Sequence, residues 1–154
     1  MWYSKSIFSA VMLLAFGEIK GDIIEISPLS FGSIVITENT TQEKVVLNYS
    51  GNVGYSSGIY AVTPPNTAEF LLTNYPSNQQ VFISARSIQA RSNSDIYSAD
   101  QFTLTDVDVP SVLTTDNSGS ATLFVGGTLE TSGSGVNSYL NTQYRTSYQI
   151  SVNY

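Results

Sequence analysis

Residues 118–154 read SGSATLFVGGTLETSGSGVNSYLNTQYRTSYQISVNY, and this stretch decides the fold. It opens with Ala121, Leu123 and Val125 at alternate positions, and a break is expected at Gly126 and Gly127, followed by a Gly/Ser/Asn loop. It closes with Tyr148, Ile150, Val152 and Tyr154 on one face against Gln149, Ser151 and Asn153 on the other. A period of two marks a strand with one face in a core and one in water. Tyr154 is therefore expected to contribute to the core, with its carboxylate at a strand end where a partner can read it.

Working outward, the same period recurs. Residues 23–26 form a short β-prone run stopped by Pro28, and residues 33–37 form a second. Proline lacks an N–H and sits at strand edges or where a strand changes sheets, so one first strand broken in the middle is expected. Val45, Leu47 and Tyr49 share a face, residues 50–58 read as loop, and a strand over residues 59–62 ends at Pro64. Ala68, Phe70 and Leu72 point inward, residues 74–78 turn, and Val81, Ile83 and Ala85 line the next strand. Residues 86–99 are polar and irregular and read as a long loop. Phe102 and Leu104 resume the alternation, and residues 116–119 (DNSG) form a tight turn. Nothing after residue 17 repeats apolar residues at helical spacing. Many short strands between Gly, Pro and Asn turns predict an all-β, immunoglobulin-like (pilin-like) β-sandwich of about seven to nine strands.

The chain has 154 residues, 12 Asp plus Glu against 6 Lys plus Arg, and a net charge of -6. Such a length suits one domain. The acidic balance argues against nucleic acid, whose phosphates demand cations, and against anionic lipid. Residues 1–5 carry Lys5, residues 6–16 are a short apolar run, and Ala15 and Gly17 supply small residues for cleavage. This reads as a signal peptide over residues 1–17, followed by one β-sandwich domain over residues 18–154. The run falls short of the ~20 apolar residues of a membrane span, and no span follows it. The expected product is secreted, to the periplasm, the cell surface or an extracellular filament. There is no cysteine, so the domain relies on packing.

Several pieces in order carry a resemblance: Leu29-Ser30-Phe31-Gly32, Ala68-Glu69-Phe70, Thr73-Asn74-Tyr75-Pro76, Gly119-Ser120-Ala121-Thr122, Val125-Gly126-Gly127-Thr128-Leu129, and the closing Val152-Asn153-Tyr154. In this order the chain resembles a family of secreted bacterial domains of unknown function, grouped with the immunoglobulin-like subunits of chaperone–usher pili. The resemblance spans nearly all of residues 18–154. It implies a surface or fimbria-like protein whose missing last strand is supplied by a periplasmic chaperone and then by another subunit. Strand addition of that kind takes affinity from backbone hydrogen bonds and specificity from alternate pockets. The strand-edge residues that would meet such partners are Ile19, Ile23, Ile24, Ile26, Tyr148, Ile150, Val152 and Tyr154. One departure stands out. Only residues 18–22 precede the first strand, and Ile19 is their sole large apolar residue, so either a donor strand overlaps residues 23–26 or the domain completes its own sandwich.

Catalysis is not expected. Without His or Cys, Ser-His-Asp and Cys-His sites are excluded. Paired carboxylates remain as a route to glycoside hydrolysis, but Asp95, Asp100, Asp106, Asp108 and Asp116 read as solvated acids. Asp106, Asp108, Asp116 and Asn117 supply oxygen ligands without the spacing of an EF-hand loop, so no metal and no cofactor is expected. Sugar binding is the rival function. Tyr55, Tyr60, Tyr97, Tyr139 and Tyr144 lie in or beside loops where a ring can stack on a surface glycan, as does Tyr75, although tyrosine is also an ordinary edge residue. The sequons at Asn39 and Asn48 read as chance matches. A Lys–Asn cross-link would have to use Lys20 or Lys44, and no carboxylate partner is evident.

Overall fold

Alternating burial builds the strands of this chain, and where the alternation slips the backbone bulges. The computed structural model describes residues 21–94, 101–135, 139 and 143–154, with residues 89–94 as backbone alone. These contain eleven strands. In chain order they are β1 (Asp22–Ser27), β2 (Ser33–Ile36), β3 (Lys44–Leu47), β4 (Val53–Tyr55), β5 (Ile59–Thr63) and β6 (Ala68–Thr73). Then follow β7 (Gln80–Ser94), β8 (Phe102–Asp108), β9 (Val112–Thr114), β10 (Ala121–Thr131) and β11 (Tyr144–Asn153). The all-β sandwich expectation holds. The surplus over seven to nine strands comes from short pieces such as β4 and β9, each of three residues.

The main sheet runs β1-β6-β10-β8-β7-β11, with β3 also on β10, β4 on β3 and β9 on β7. Every ladder in it is antiparallel. The two remaining strands, β2 and β5, pair with each other. The path folds back over one core. Ala68, Phe70, Leu72, Leu123 and Val125 from β6 and β10 meet Val81, Ile83, Leu104 and Val107 from β7 and β8.

Pro28 acts as its chemistry requires. Pairing of β1 with β6 stops at Ser27, and the chain resumes as β2 in the second sheet. Asn66 steadies the crossing, donating its side-chain amide to the Pro28 carbonyl (3.1 Å), while its backbone pairs with Ser30. In β8 the inward residues are Phe102, Leu104 and then Val107. The register jumps between Thr128 and Leu129, leaving Thr105 as the extra residue. A bulge there reverses the parity, so Val107 rather than Asp106 faces the core.

Five expectations are corrected. Residues 126–127 do not break the strand, because β10 continues through them to Thr131. Here three backbones converge. A Cβ on Gly126 would collide with the Leu47 carbonyl oxygen, and one on Gly127 would lie 2.8 Å from that of Asp106. Glycine marks the close approach of neighbouring strands rather than an end. Residues 86–94 are not loop but the second half of β7, held by ladder bonds to β11 that do not depend on side-chain polarity. Residues 53–55 inside the expected loop form β4, and Tyr49 lies beyond the end of β3, exposed. Tyr154 is 55% exposed, since it follows the last ladder residue.

The crowding at Gly126 is open to a direct check by thermal and denaturant unfolding. Gly126→Ala should lose about 1–3 kcal/mol, because the obstacle is a backbone carbonyl that cannot rotate away. Gly54→Ala, in β4 with open space at its Cβ, should stay within about 0.5 kcal/mol of the parent.

Candidate functional site

The two ends of the sheet path, β1 and β11, face each other across an open seam. Among the described ladders β1 pairs only with β6 and β11 only with β7. Their other edges border one groove of about 410 Å³. Ile23, Glu25, Pro28 and Leu29 form one wall, Thr146, Ser147, Tyr148 and Ile150 the other, and the largely buried Phe70 of the core lines the floor. Five antiparallel steps separate β1 from β11 along the path, so the two walls run in opposite directions.

Register decides which side chains enter the groove. Ile23 stands opposite Leu72 and Glu25 opposite Phe70, and both partners are buried. Cross-strand partners share a face, so Ile23 and Glu25 are the core-facing residues of β1. Ile24 and Ile26 turn outward and are 48% and 57% exposed. On β11, Tyr148, Ile150 and Val152 pack half-buried against the core, while Gln149 faces out and accepts from Arg86 Nε (3.1 Å) and Nη2 (2.8 Å). Burial first, and the charge of Glu25 second, push the Tyr148 phenol up to about 12. At one end of the seam the Tyr154 ring meets buried Tyr75 edge-on, with centroids 5.4 Å apart. The Tyr75 ring also covers Gly21, leaving no room for a Cβ there. Burial, with Tyr154 and Asp22 nearby, raises the Tyr75 phenol.

Of the strand-edge residues named from sequence, the structure brings Ile23, Tyr148 and Ile150 to one groove. It places Val152 farther along the same strand, Tyr154 just past its end, and Ile24 and Ile26 on the opposite face of β1. Ile19 lies outside the described residues. Glu25 and Phe70 complete the groove and were not singled out in the sequence. The signal for Glu25 was its two-residue spacing from Ile23, which has no meaning until the inward face of β1 is known.

The tyrosines do not form one platform among the described residues. Tyr139 and Tyr144 both turn their rings onto buried Phe102, at 5.2 and 4.8 Å. Tyr55 and Tyr60 are exposed in β4 and β5, strands of different sheets. Tyr97 lies outside the described residues, as do Asp95 and Asp100.

Three of the acids, Asp108, Asp116 and Glu43, have local tasks. Asp108 Oδ2 accepts from the Tyr49 backbone N–H at 2.9 Å. Asp116 Oδ1 closes its own turn, accepting from Ser118 N (2.8 Å), Ser118 Oγ (2.6 Å) and Ser120 N (2.9 Å). Those bonds, that of the Ser118 hydroxyl foremost, lower its carboxyl below 3.8. Buried Glu43 is lowered below 4.5 by the Ser56 hydroxyl, then by the Gly58 backbone and Thr41. Its own backbone N–H donates to Thr131 Oγ1 at 2.8 Å and its carbonyl accepts from Thr131 N at 2.8 Å, tying β3 to β10.

Depressed folded-state values have a defined sign. The unfolded chain binds these protons first, so the stability they confer is present above about 4.5 and lost as pH falls through the folded values. Unfolding midpoints should therefore fall between pH 5 and pH 3, and Glu43→Gln should flatten part of that slope. An unchanged slope would mean that Glu43 is not held as described.

No curated protein and no solved structure matches the chain. One family does, described as Domain of unknown function (DUF4402), over residues 22–154, from the first residue of β1 through β11. The match takes in both walls of the seam, and the chain belongs to this DUF4402 family.

Proposed function

We propose that this is an exported bacterial surface or fimbria-like protein with a structural or adhesive role, and that it works by accepting a strand into the seam between β1 and β11. The observation that carries this reading is the groove lined by core-facing Ile23, Phe70 and Ile150 between two edges that carry no further ladder among the described residues. An edge strand presents a row of free backbone N–H and C=O groups, a template for another chain. A seated strand satisfies those groups and covers the apolar floor, which combines backbone affinity with side-chain pockets. The partner is a strand of another protein subunit or of a periplasmic chaperone. No step of catalysis is assigned to the protein, and Glu43, Asp108 and Asp116 serve turns and strand junctions.

Residues 23–26 are engaged in β1, so in this reading they form a wall of the acceptor and not a donor. A donor therefore comes from elsewhere, from residues before Asp22 of a second copy or from a different protein.

The test is amide hydrogen exchange of the purified protein with synthetic peptides of roughly ten residues, the length of β11, alternating threonine with valine, both as such and with a single valine replaced by lysine at each position in turn, and protection by any one of them counts as binding. Binding should slow exchange along β1 and β11 and leave β4 unchanged. Ile150→Arg, which puts a charge in the groove, should abolish the effect. Ile24→Arg, on the outward face, should preserve it. Protection that fails to appear, or that survives Ile150→Arg, overturns the reading.

A further inference from the structure

Within the groove one residue is chemically out of place. Ile23, Leu29, Phe70 and Ile150 are apolar, Tyr148 brings a phenol, and Glu25 brings a carboxylate to the core-facing side. No described residue donates a hydrogen bond or an ion pair to it. The described cations with side-chain partners are turned elsewhere, Arg86 to Gln149 on the outer face and Arg145 to Gln143 (3.0 Å). In the open groove water solvates Glu25. A strand laid across the seam removes that water, and a desolvated carboxylate without a partner is strongly unfavourable.

Resting on the strand-accepting reading above, we infer that Glu25 selects the occupant: the strand that seats between β1 and β11 carries a lysine or arginine at the inward position level with Glu25 and Tyr148. A cation there exchanges the lost water for a charge-assisted hydrogen bond. The Tyr148 phenol stays protonated across the physiological range and can donate to the same carboxylate or accept from the incoming ammonium. Strands that are apolar at every inward position are disfavoured, which also protects two open edges from indiscriminate pairing. A charge on the inner face of an edge strand is a known guard against aggregation. A guard alone repels apolar strands without favouring a cation. Selection does both.

The experiment compares binding of alternating peptides that differ at one inward position, norleucine in one set and lysine in the other, with the substitution walked through each inward position in turn. It uses the full chain, Glu25→Gln, and Glu69→Gln, which removes the same net charge from the outward face of β6. The best lysine peptide should bind the parent roughly tenfold tighter than its norleucine twin. In Glu25→Gln the two should fall within about twofold, chiefly because the norleucine peptide gains. Glu69→Gln should keep the preference. Equal binding of both peptides by the parent overturns the inference and leaves the seam as an acceptor, a guarded one. Loss of preference in Glu69→Gln overturns it in favour of long-range attraction to an acidic protein. No binding of any peptide to either the parent or Glu25→Gln overturns the acceptor reading itself, and this inference with it.

Discussion

The close crossing at Gly126 and Gly127 governs the architecture. The first half of β10, through Val125, pairs with β6, and from Gly126 onward β10 pairs with β8, with β3 joining at Gly127. One strand thus belongs to both layers, and it can do so only where neighbouring carbonyls approach without a Cβ between them. Once β10 is shared, β6 carries β1 to one end of the path and β8 and β7 carry β11 to the other. The sheet folds over, its apolar faces meet, and the two terminal strands end up on opposite sides of one groove. The seam is the remainder of this folding.

Three devices keep that seam open in a defined form. Pro28 ends the pairing of β1 and diverts the chain into β2, so β1 cannot extend along the groove. Tyr75, packed over Gly21 and met edge-on by Tyr154, closes one end with aromatic surface. Glu25 places a charge where continued burial would otherwise favour apolar closure. The groove therefore keeps a hydrophobic floor and a polar threshold, which is the combination the proposed strand-accepting reading calls for. The floor is continuous with the core, since Phe70 touches both. In the proposed reading a seated strand would therefore also add to stability.

Much of this was legible in the chain, and the failures follow from one cause. Ala68, Phe70 and Leu72 and the Tyr148, Ile150, Val152 stripe declared their faces because alternation against a single core is a local property. Residues 86–94 and 53–55 did not, since their strand character comes from ladder partners on β11 and β3, distant in sequence. The glycine pair was misread for a similar reason. Gly-Gly is a breaker when isolated and a close-packing device when two strands flank it. Tyr139 and Tyr144 were legible as aromatic but not as a pair resting on Phe102, because their common neighbour lies far back in the chain.

By itself the sequence determined the β period, the strand that Pro28 interrupts, the turn that Asp116 closes and the acidic, cysteine-free surface. Each of these depends on residues a few positions apart. Only the tertiary structure decided that β1 faces β11, that Ile23 and Glu25 rather than Ile24 and Ile26 enter the groove, and that Thr105 is the odd residue of a bulge. In a strand a shift of one residue exchanges the two faces completely, and what fixes the choice is the partner across the ladder, not the sequence of the strand itself.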